Sequence, residues 1–468
     1  MRIVIDMQGA QTASRYRGIG RYTMSLVTAL VRNCGEHEII LLLNGLFEES
    51  LDSISGAFAG LLPPHHILVW TAPDPVNVSD PSNRGRENLA KILREGLVAS
   101  LRPDMVCISS FFEGYTDNAV VSIGEFDWRP PVCAIAYDFI PLINPEQYLD
   151  HDAAYAHFYK SKVHQLSRAD LLLSISESSR HEAIEHLHID ADRVVNIAAA
   201  CDPCFKPVDT HLQDHQALLA GWGITRQFIL YTGGADERKN LPRLIEAFAC
   251  LPQDLRQQHQ LLFAGKLSPS QKSQLQSVAS QHGLAREELC FTGFVSDEEL
   301  VLAYSLCQLF VFPSWHEGFG LPPLEAMSCG APVIAANTSS IPEVVGCPQA
   351  LFDPFDVDAI TRKMEQGLSD HTFRNELMAH AHRQSRKFSW DACARTALQS
   401  IENLGQQRAI QADQTPACTD PTHYQSLLTA CARVLRQHNL ESAYDLASLA
   451  ACIAHNEAQA RQYWQAAG

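Results

Sequence analysis

Two carboxylates, Glu317 and Glu325, bracket the run Glu317-Gly318-Phe319-Gly320-Leu321-Pro322-Pro323-Leu324-Glu325. Gly318 and Gly320 let a backbone approach a ligand closely. Pro322 suits the first turn of a helix, where no N–H is needed. A loop that opens into a helix turns unpaired N–H groups and a positive dipole end toward an anion. Glu325 then falls about one turn into the predicted helix, while Glu317 stands at its mouth. Two carboxylates beside one anion site suit a ligand carrying both phosphate and hydroxyl groups, such as a nucleotide sugar. The competing reading is a capped loop–helix unit with two solvated glutamates.

Three further runs carry candidate chemistry. Thr232-Gly233-Gly234-Ala235-Asp236-Glu237-Arg238-Lys239-Asn240 follows an apolar run. Glycines after a strand, then two cations before a helix, suit a diphosphate, although a charge run can also be plain surface. Ser14-Arg15-Tyr16-Arg17-Gly18-Ile19-Gly20-Arg21-Tyr22-Thr23 lies between the first strand and a helix predicted over Tyr22–Val31. Tyr137-Asp138 ends another predicted strand. Tyr137 could hydrogen-bond a sugar hydroxyl but is no base at neutral pH, and Asp138 equally suits an N-cap.

The elements that must hold these residues follow from the apolar pattern. Short apolar runs alternate with helical stretches, which argues for parallel sheets built from βαβ units. The first half offers Ile3–Ile5, Ile39–Leu43, Ile67–Trp70, Met105–Ile108, Val132–Ala136, Leu171–Ile175 and Val194–Ile197. The second offers Phe228–Tyr231, Leu261–Ala264, Cys290–Thr292, Leu309–Phe312, Val333–Ala335 and Leu351–Phe352. Two doubly wound domains with a hinge near residues 203–220 are expected. Ligands bind at the carboxyl ends of such strands, here in a cleft between the domains. Asp391–Leu404 reads as a helix, Gly405–Thr422 as a polar linker, and Tyr424–Arg436 and Ser442–Trp464 as two helices. Leu427, Leu428, Cys431, Val434 and Leu435 form an apolar face on the first of that pair. A packed cap, an oligomer contact and the start of a longer chain are all open readings of it.

Bulk properties narrow the class. A chain of 468 residues exceeds the ~250–300 at which single cores stop growing. A net charge of -17 argues against nucleic acid as the main partner. No stretch reaches the ~20 apolar residues needed to span a bilayer. The N-terminus enters a strand directly rather than a signal peptide, so a cytoplasmic chain with reduced thiols is expected. Cys201-x-x-Cys204 has no second pair. Asp190-x-Asp192 and Asp356-x-Asp358 read as helix caps, and His65-His66 lacks ligand spacing. No metal site is expected.

The Glu-x7-Glu spacing inside EGFGLPPLEAM, continued by CGAPVIAANTSSIPEVVG from Cys329 to Gly346, resembles the signature of the retaining family-4 glycosyltransferases. The resemblance covers roughly residues 1 to 405. It implies an α/β chain of the GT-B fold: two doubly wound Rossmann-like domains facing a cleft, plus C-terminal helices. Residues 1–205 would form the N-terminal acceptor domain and 206–390 the nucleotide-sugar donor domain. Residues 391–404 would be a crossover helix packing back on the N-domain, and 405–468 a linker and helical pair outside the family core.

The resemblance also implies roles. Glu317, Lys239, Arg238 and Asp138 would be the catalytic set. Gly20, Gly234, Gly318, Phe319, Gly320, Leu321 and Glu325 would bind the donor, with Glu317 on sugar hydroxyls and Glu325 on the ribose. From the residues themselves, Arg15, Arg17 and Arg21 could meet an anionic acceptor lipid or equally form a solvated basic loop, and Tyr137 and Glu113, each following a predicted strand, are candidates for the acceptor side. Two positions depart from the family pattern: Tyr137 replaces a histidine, and Gly234 occupies the place of an arginine, for which Arg238 is the substitute candidate. The forms RGIGRY and YDFIPL are most similar to mannosyltransferases that build O-antigen chains.

The expectation is retaining transfer of a hexose, mannose from GDP-mannose first among donors, to a lipid-linked or polysaccharide acceptor. Rhamnosyl, glucosyl and N-acetylglucosaminyl transfer stay open. No cofactor or metal is implied, and peripheral association with the inner face of the membrane is compatible. The C-terminal helices could serve a partner or further domains. The alternatives are a non-catalytic scaffold of the same fold, or an epimerase or phosphorylase.

Overall fold

The computed structural model describes residues 1–16, 18–125, 130–208, 215–412, 423–438, 440 and 443–467. The chain divides into two compact units. The first comprises Met1–Ile175, Ser179–Ile197 and Trp390–Gly468; the second comprises Ser176–Ser178 and Ala198–Ser389.

The first unit holds a parallel sheet of β1 (Arg2–Asp6), β2 (Glu38–Asn44), β3 (Ile67–Trp70), β4 (Met105–Ile108), β5 (Val132–Ala136), β6 (Leu171–Ser174) and β7 (Val194–Asn196), ordered β3-β2-β1-β4-β5-β6-β7. The second holds β8 (Gln227–Thr232), β9 (His259–Ala264), β10 (Leu289–Gly293), β11 (Leu309–Phe312), β12 (Val333–Ala336) and β13 (Leu351–Phe352), ordered β10-β9-β8-β11-β12-β13 and also parallel. Every predicted strand is present to within two residues. Strands covered by helices on both faces must be apolar throughout, so they read as continuous runs.

The boundary between the units follows β7 directly, earlier than the 203–220 hinge expected from the prolines. Phe205 packs on Tyr304 at 6.1 Å, which ties that segment into the second unit; residues 209–214 of the expected hinge lie outside the described residues. The helix Trp390–Ala412 returns to the first unit and lies against the helix Gly18–Arg32. Trp390 meets Tyr22 edge-on at 5.0 Å, and Asn33 Nδ2 donates to Asp391 Oδ1 at 2.8 Å. This helix runs on through Gly405, where a linker was expected. A Cβ at Gly405 would lie 2.8 Å from Met1 Cε, so the glycine serves close packing rather than helix termination. The remainder of that linker, 413–422, lies outside the described residues.

The C-terminal helices belong to the first unit's core. The helix His423–His438 packs on the helix Arg84–Ser100. Added Cβ atoms at Gly85 and Gly96 would meet Leu440 Cδ1 at 2.5 Å and Leu427 Cδ1 at 2.7 Å. Leu427, Cys431, Val434 and Leu435 are buried there, whereas Leu428 is 37% exposed, off the expected apolar face. The helix Ala443–Ala467 lies along edge strand β3. Asn456 Oδ1 accepts from Thr71 N at 2.9 Å, Asn456 Nδ2 donates to Thr71 O at 2.9 Å, and Gln459 Oε1 accepts from Val69 N at 3.0 Å. Side chains thus occupy the backbone groups that an edge strand leaves unpaired.

Candidate functional site

In the second unit the chain order breaks between β8 and β11: β9 and β10 lie on one side of β8, and β11 to β13 on the other. Loops leaving adjacent strands at such a switch point splay apart and leave a crevice at their carboxyl ends. The glycine-rich loop after β8 and the Glu317 loop after β11 are those two loops.

Backbone and side-chain bonds fasten them together. Trp315 N and Ser314 Oγ both donate to Arg238 O, at 2.9 and 3.0 Å. Asn240, at φ 62°, donates through Nδ2 to Pro313 O at 3.1 Å and Pro354 O at 2.6 Å. With the loops fixed, Lys239 Nζ donates to Glu317 Oε1 at 2.5 Å, and Arg238 Nη1 stands 2.8 Å from Glu317 Oε2. Arg238 Nη1 also donates to His316 O at 2.7 Å.

Glu317 is 8% exposed. Burial alone would push its carboxyl up. The Lys239 and Arg238 charges, with hydrogen bonds from Lys239 and Ser314, outweigh burial and hold it down at about 2. Burial, then Arg238, pulls the Lys239 ammonium below its ordinary value while Glu317 opposes them. The Glu317 backbone is clamped as well. Its N–H donates to Ser339 Oγ at 3.1 Å, and its carbonyl accepts from Ser339 Oγ at 2.7 Å and Ser340 Oγ at 2.9 Å. Ser340 Oγ also donates to Phe319 O at 2.7 Å.

Gly320 adopts φ 106° and precedes the helix Leu321–Ser328 with no side-chain cap, two prolines occupying its first turn. Leu321 opens that helix. Phe319 is buried against Phe388 at 5.6 Å. Glu325, half-buried on the helix, accepts from Tyr304 OH at 3.0 Å, and that hydroxyl lies 2.8 Å from Thr232 Oγ1 at the end of β8. A Cβ at Gly234 would meet no heavy atom within 4 Å, so the missing arginine leaves open space. The second unit therefore gathers Arg238, Lys239, Glu317, Gly318, Phe319, Gly320, Leu321 and Glu325 around two neighbouring strand ends.

The remaining candidates lie on the first unit. Gly20 sits inside the helix Gly18–Arg32, which starts four residues before the predicted Tyr22. A Cβ there would fall 2.3 Å from Arg15 Cα, because the preceding turn crosses directly over it. Arg15 pairs with Glu49 at 2.8 Å and donates to Gln11 O at 3.0 Å, which turns it away from a solvated loop. Arg21 is exposed, and Arg17 lies outside the described residues. Tyr137 OH donates to Ser109 O at 3.0 Å and meets Thr23 Oγ1 at 3.2 Å, so it ties β5 to β4 and to the helix Gly18–Arg32. Asp138 Oδ1 accepts from Ile140 N at 3.2 Å, a local turn bond of the N-cap kind. Glu113 accepts from Ser110 Oγ and Thr12 Oγ1, each at 3.0 Å, and burial pushes its carboxyl up. Asp356 caps Ala359 N at 3.1 Å, whereas Asp190 makes no such side-chain bond.

Sequence reasoning missed Ser339, Ser340, Asn240 and Tyr304. The serine pair after β12 and the asparagine after Lys239 were visible signals: hydroxyls and an amide at strand ends. Tyr304 lies in the middle of a helix and carried none.

Residues 220–387 match the family model described as glycosyl transferases group 1. The serotype-specific mannosyltransferase WbdA of Escherichia coli is 39% identical over 97% of this chain and 53% of its own length. The O-antigen chain mannosyltransferase B of Escherichia coli is 35% identical over 52% of this chain and 64% of its own. Anabaena HepE, solved in complex with UDP-glucose, superposes with a TM-score of 0.58 at 17% identity, covering 88% of this chain and all of its own. The chain spans about half the length of the WbdA relative it matches. Two parallel Rossmann-like sheets and this likeness give it the GT-B fold, and its residues 220–387 are similar to the glycosyl transferases group 1 model within a chain related in sequence to O-antigen mannosyltransferases.

Proposed function

We propose that the chain moves a hexose from a nucleoside diphosphate sugar to a hydroxyl of a glycan acceptor, with retention at the anomeric carbon. Mannose from GDP-mannose is the donor we favour, and bacterial O-antigen the product. The names of the relatives aligned with this chain support mannose as the sugar and O-antigen as the product. One observation carries the reading: an ionised, buried Glu317 gripped by Lys239 and Arg238 at the β8/β11 switch point.

In this reading the bond from C1 to the diphosphate oxygen breaks, and its electron pair stays on phosphate. The acceptor oxygen bonds to C1 on the same face, and its proton passes to the departing phosphate. Lys239 and Arg238 neutralise the charge that grows on the leaving group. First-turn N–H groups after Gly320 add donors. Glu317 accepts hydroxyls of the donor sugar. Glu325, aimed by Tyr304, accepts ribose hydroxyls. Two cations and a helix start supply the charge compensation, so no metal or cofactor is called for. A lipid-linked acceptor would bring the reaction to the inner face of the membrane; no described helix is long and apolar enough to cross it.

The test is incubation with GDP-mannose and a mannan primer, following GDP release, chain growth and the anomeric signal of the new linkage. Glu317→Ala should abolish growth while the protein stays folded. Undiminished growth by that variant removes Glu317 from the site. A second reading, a non-catalytic scaffold, draws on Tyr137, which departs from the histidine of the resembled family pattern and whose hydroxyl is committed to Ser109 O. A scaffold would bind the nucleotide and release no product.

A further inference from the structure

The first unit carries an aromatic cluster that the donor chemistry does not use. It is built from the segment after β4 and the helix Ala153–Leu166. Phe112 stacks on Tyr159 at 4.6 Å and 15°. Tyr115 meets Tyr155 edge-on at 5.1 Å and lies tilted on Phe158 at 5.3 Å. Phe158 and Tyr159 are buried, whereas Tyr115 and Tyr155 are half-exposed. The cluster is closed at its base and open along its tyrosine edge.

Two observations set it apart from ordinary packing. Tyr159 is 2% exposed, yet among the described residues its hydroxyl has no hydrogen-bond partner. Buried hydroxyls are rarely left so, and a ligand group is one way to complete it. Carboxylates also gather around the rings. After burial itself, Asp138 is the largest influence raising the Tyr155 and Tyr159 phenols; Glu113 adds to the first and Glu182 to the second. Tyr115 OH donates to Asp152 Oδ2 at 3.2 Å. The nearby cation, Lys162, is buried beneath Phe111 and Phe158 and donates to Val121 O at 2.6 Å.

This chemistry selects its ligand. Ring faces suit the apolar C–H face of a pyranose. Carboxylate oxygens that already hold one bond keep lone pairs for sugar hydroxyls. Negative charge on several sides repels phosphate. We propose that Tyr115, Tyr155 and Tyr159, with Asp152 hydrogen-bonded to Tyr115, form a saccharide subsite that holds the uncharged sugar chain of the acceptor. This rests on the glycosyltransferase reading above.

The experiment is ligand-observed NMR of mannotriose with the full chain, with gluco- and rhamno-trisaccharides alongside and GDP binding measured in parallel. Tyr155→Ala removes an open ring face and should weaken mannotriose about tenfold or more. Tyr159→Phe keeps the stack and should weaken it about threefold to tenfold. The free Tyr159→Phe protein should melt no lower than wild type, because the deleted hydroxyl has no partner among the described residues; a purely structural hydroxyl would leave saccharide affinity unmoved. GDP affinity should be unchanged in both. Should Tyr155→Ala fail to fold, Tyr159→Phe decides alone. Unaltered mannotriose affinity in the folded variants overturns the subsite. So does failure of wild type to bind any of the trisaccharides, even where GDP-mannose is turned over. Binding of a gluco- or rhamno-trisaccharide instead, lost in Tyr159→Phe, upholds the subsite and refutes mannose as the sugar.

Discussion

Lys239 and Glu317 lie 78 positions apart in sequence and 2.5 Å apart in space, on loops that leave adjacent parallel strands. Arg238 closes the same carboxylate from its other oxygen. Removing the negative partner of such a group leaves two half-buried cations facing each other, which is worse than never having built it. Glu317→Gln should therefore lower the stability of the second unit by about 3–5 kcal/mol at neutral pH. The carboxyl is held at about 2, below its ordinary 4.5. Its stabilisation is complete above pH 4.5 and is lost as pH falls toward 2. Urea unfolding at pH 7, 4 and 3 should show the gap between wild type and variant narrowing with acid. A gap independent of pH would mean that the glutamate is not ionised in the fold.

Tyr304 acts through Glu325. Its hydroxyl bridges Thr232 at the end of β8 to the carboxylate on the helix Leu321–Ser328, so it positions a group proposed to bind the ribose. Tyr304→Phe should raise the donor KM about tenfold and leave kcat within about threefold, the mark of lost uniform binding. Steady-state kinetics over a range of donor concentrations measures the split. A fall in kcat at unchanged KM would place Tyr304 in the bond-breaking step instead.

The strands were legible because burial on both faces forces one kind of residue at every position. The Glu317–Glu325 segment was legible because its parts are local: two glycines, two prolines and two carboxylates within one loop and one helical turn. What holds that segment was not legible, because it is not local. Ser339 and Ser340 reach Glu317 from the next strand's loop, and Asn240 reaches Pro313 and Pro354 from an earlier one. Hydroxyl and amide residues are common in loops, and only the fold selects these. Glycine misled in the opposite direction. Gly405 reads as a helix stop, yet it marks contact with Met1 inside a continuous helix.

Lys162 is a buried ammonium whose side-chain hydrogen bond goes to Val121 O. Burial, then the Lys91 charge, pulls its pKa from 10.5 down to about 7; Arg94 acts in the same direction, while Glu87 and Asp117 oppose them. The folded chain thus holds fewer protons than the unfolded chain between about pH 7 and 10.5, and stability rises with pH across that window. The full burial cost applies below pH 7. Lys162→Met should stabilise the first unit by about 1–3 kcal/mol at pH 6, after allowing for the donor lost to Val121 O. That advantage should shrink steadily toward pH 10. Equilibrium unfolding of both proteins at pH 6, 8 and 9.5 measures it, and a constant difference would show that Lys162 does not titrate in this range.

Asn456 satisfies both backbone groups of Thr71, while Gln459 takes the N–H of Val69 and His455 Nε2 lies 2.8 Å from Val69 O. The helix Ala443–Ala467 therefore does for β3 what another strand would otherwise do. Asn456→Leu keeps a side chain of similar size but deletes two hydrogen bonds and leaves the Thr71 groups buried without partners. Each such loss costs about 1–3 kcal/mol. The variant should lose about 2–4 kcal/mol and open locally rather than globally, because the helix His423–His438 stays packed on Gly85 and Gly96. Amide exchange separates the two cases: protection at Val69 and Thr71 should collapse while protection in β1 and β4 persists. With its edge released, β3 also becomes a template for pairing with a second copy, so the variant should associate with rising concentration. Unchanged exchange at Thr71 would mean that water replaces Asn456 at no cost and that the helix does not guard the edge.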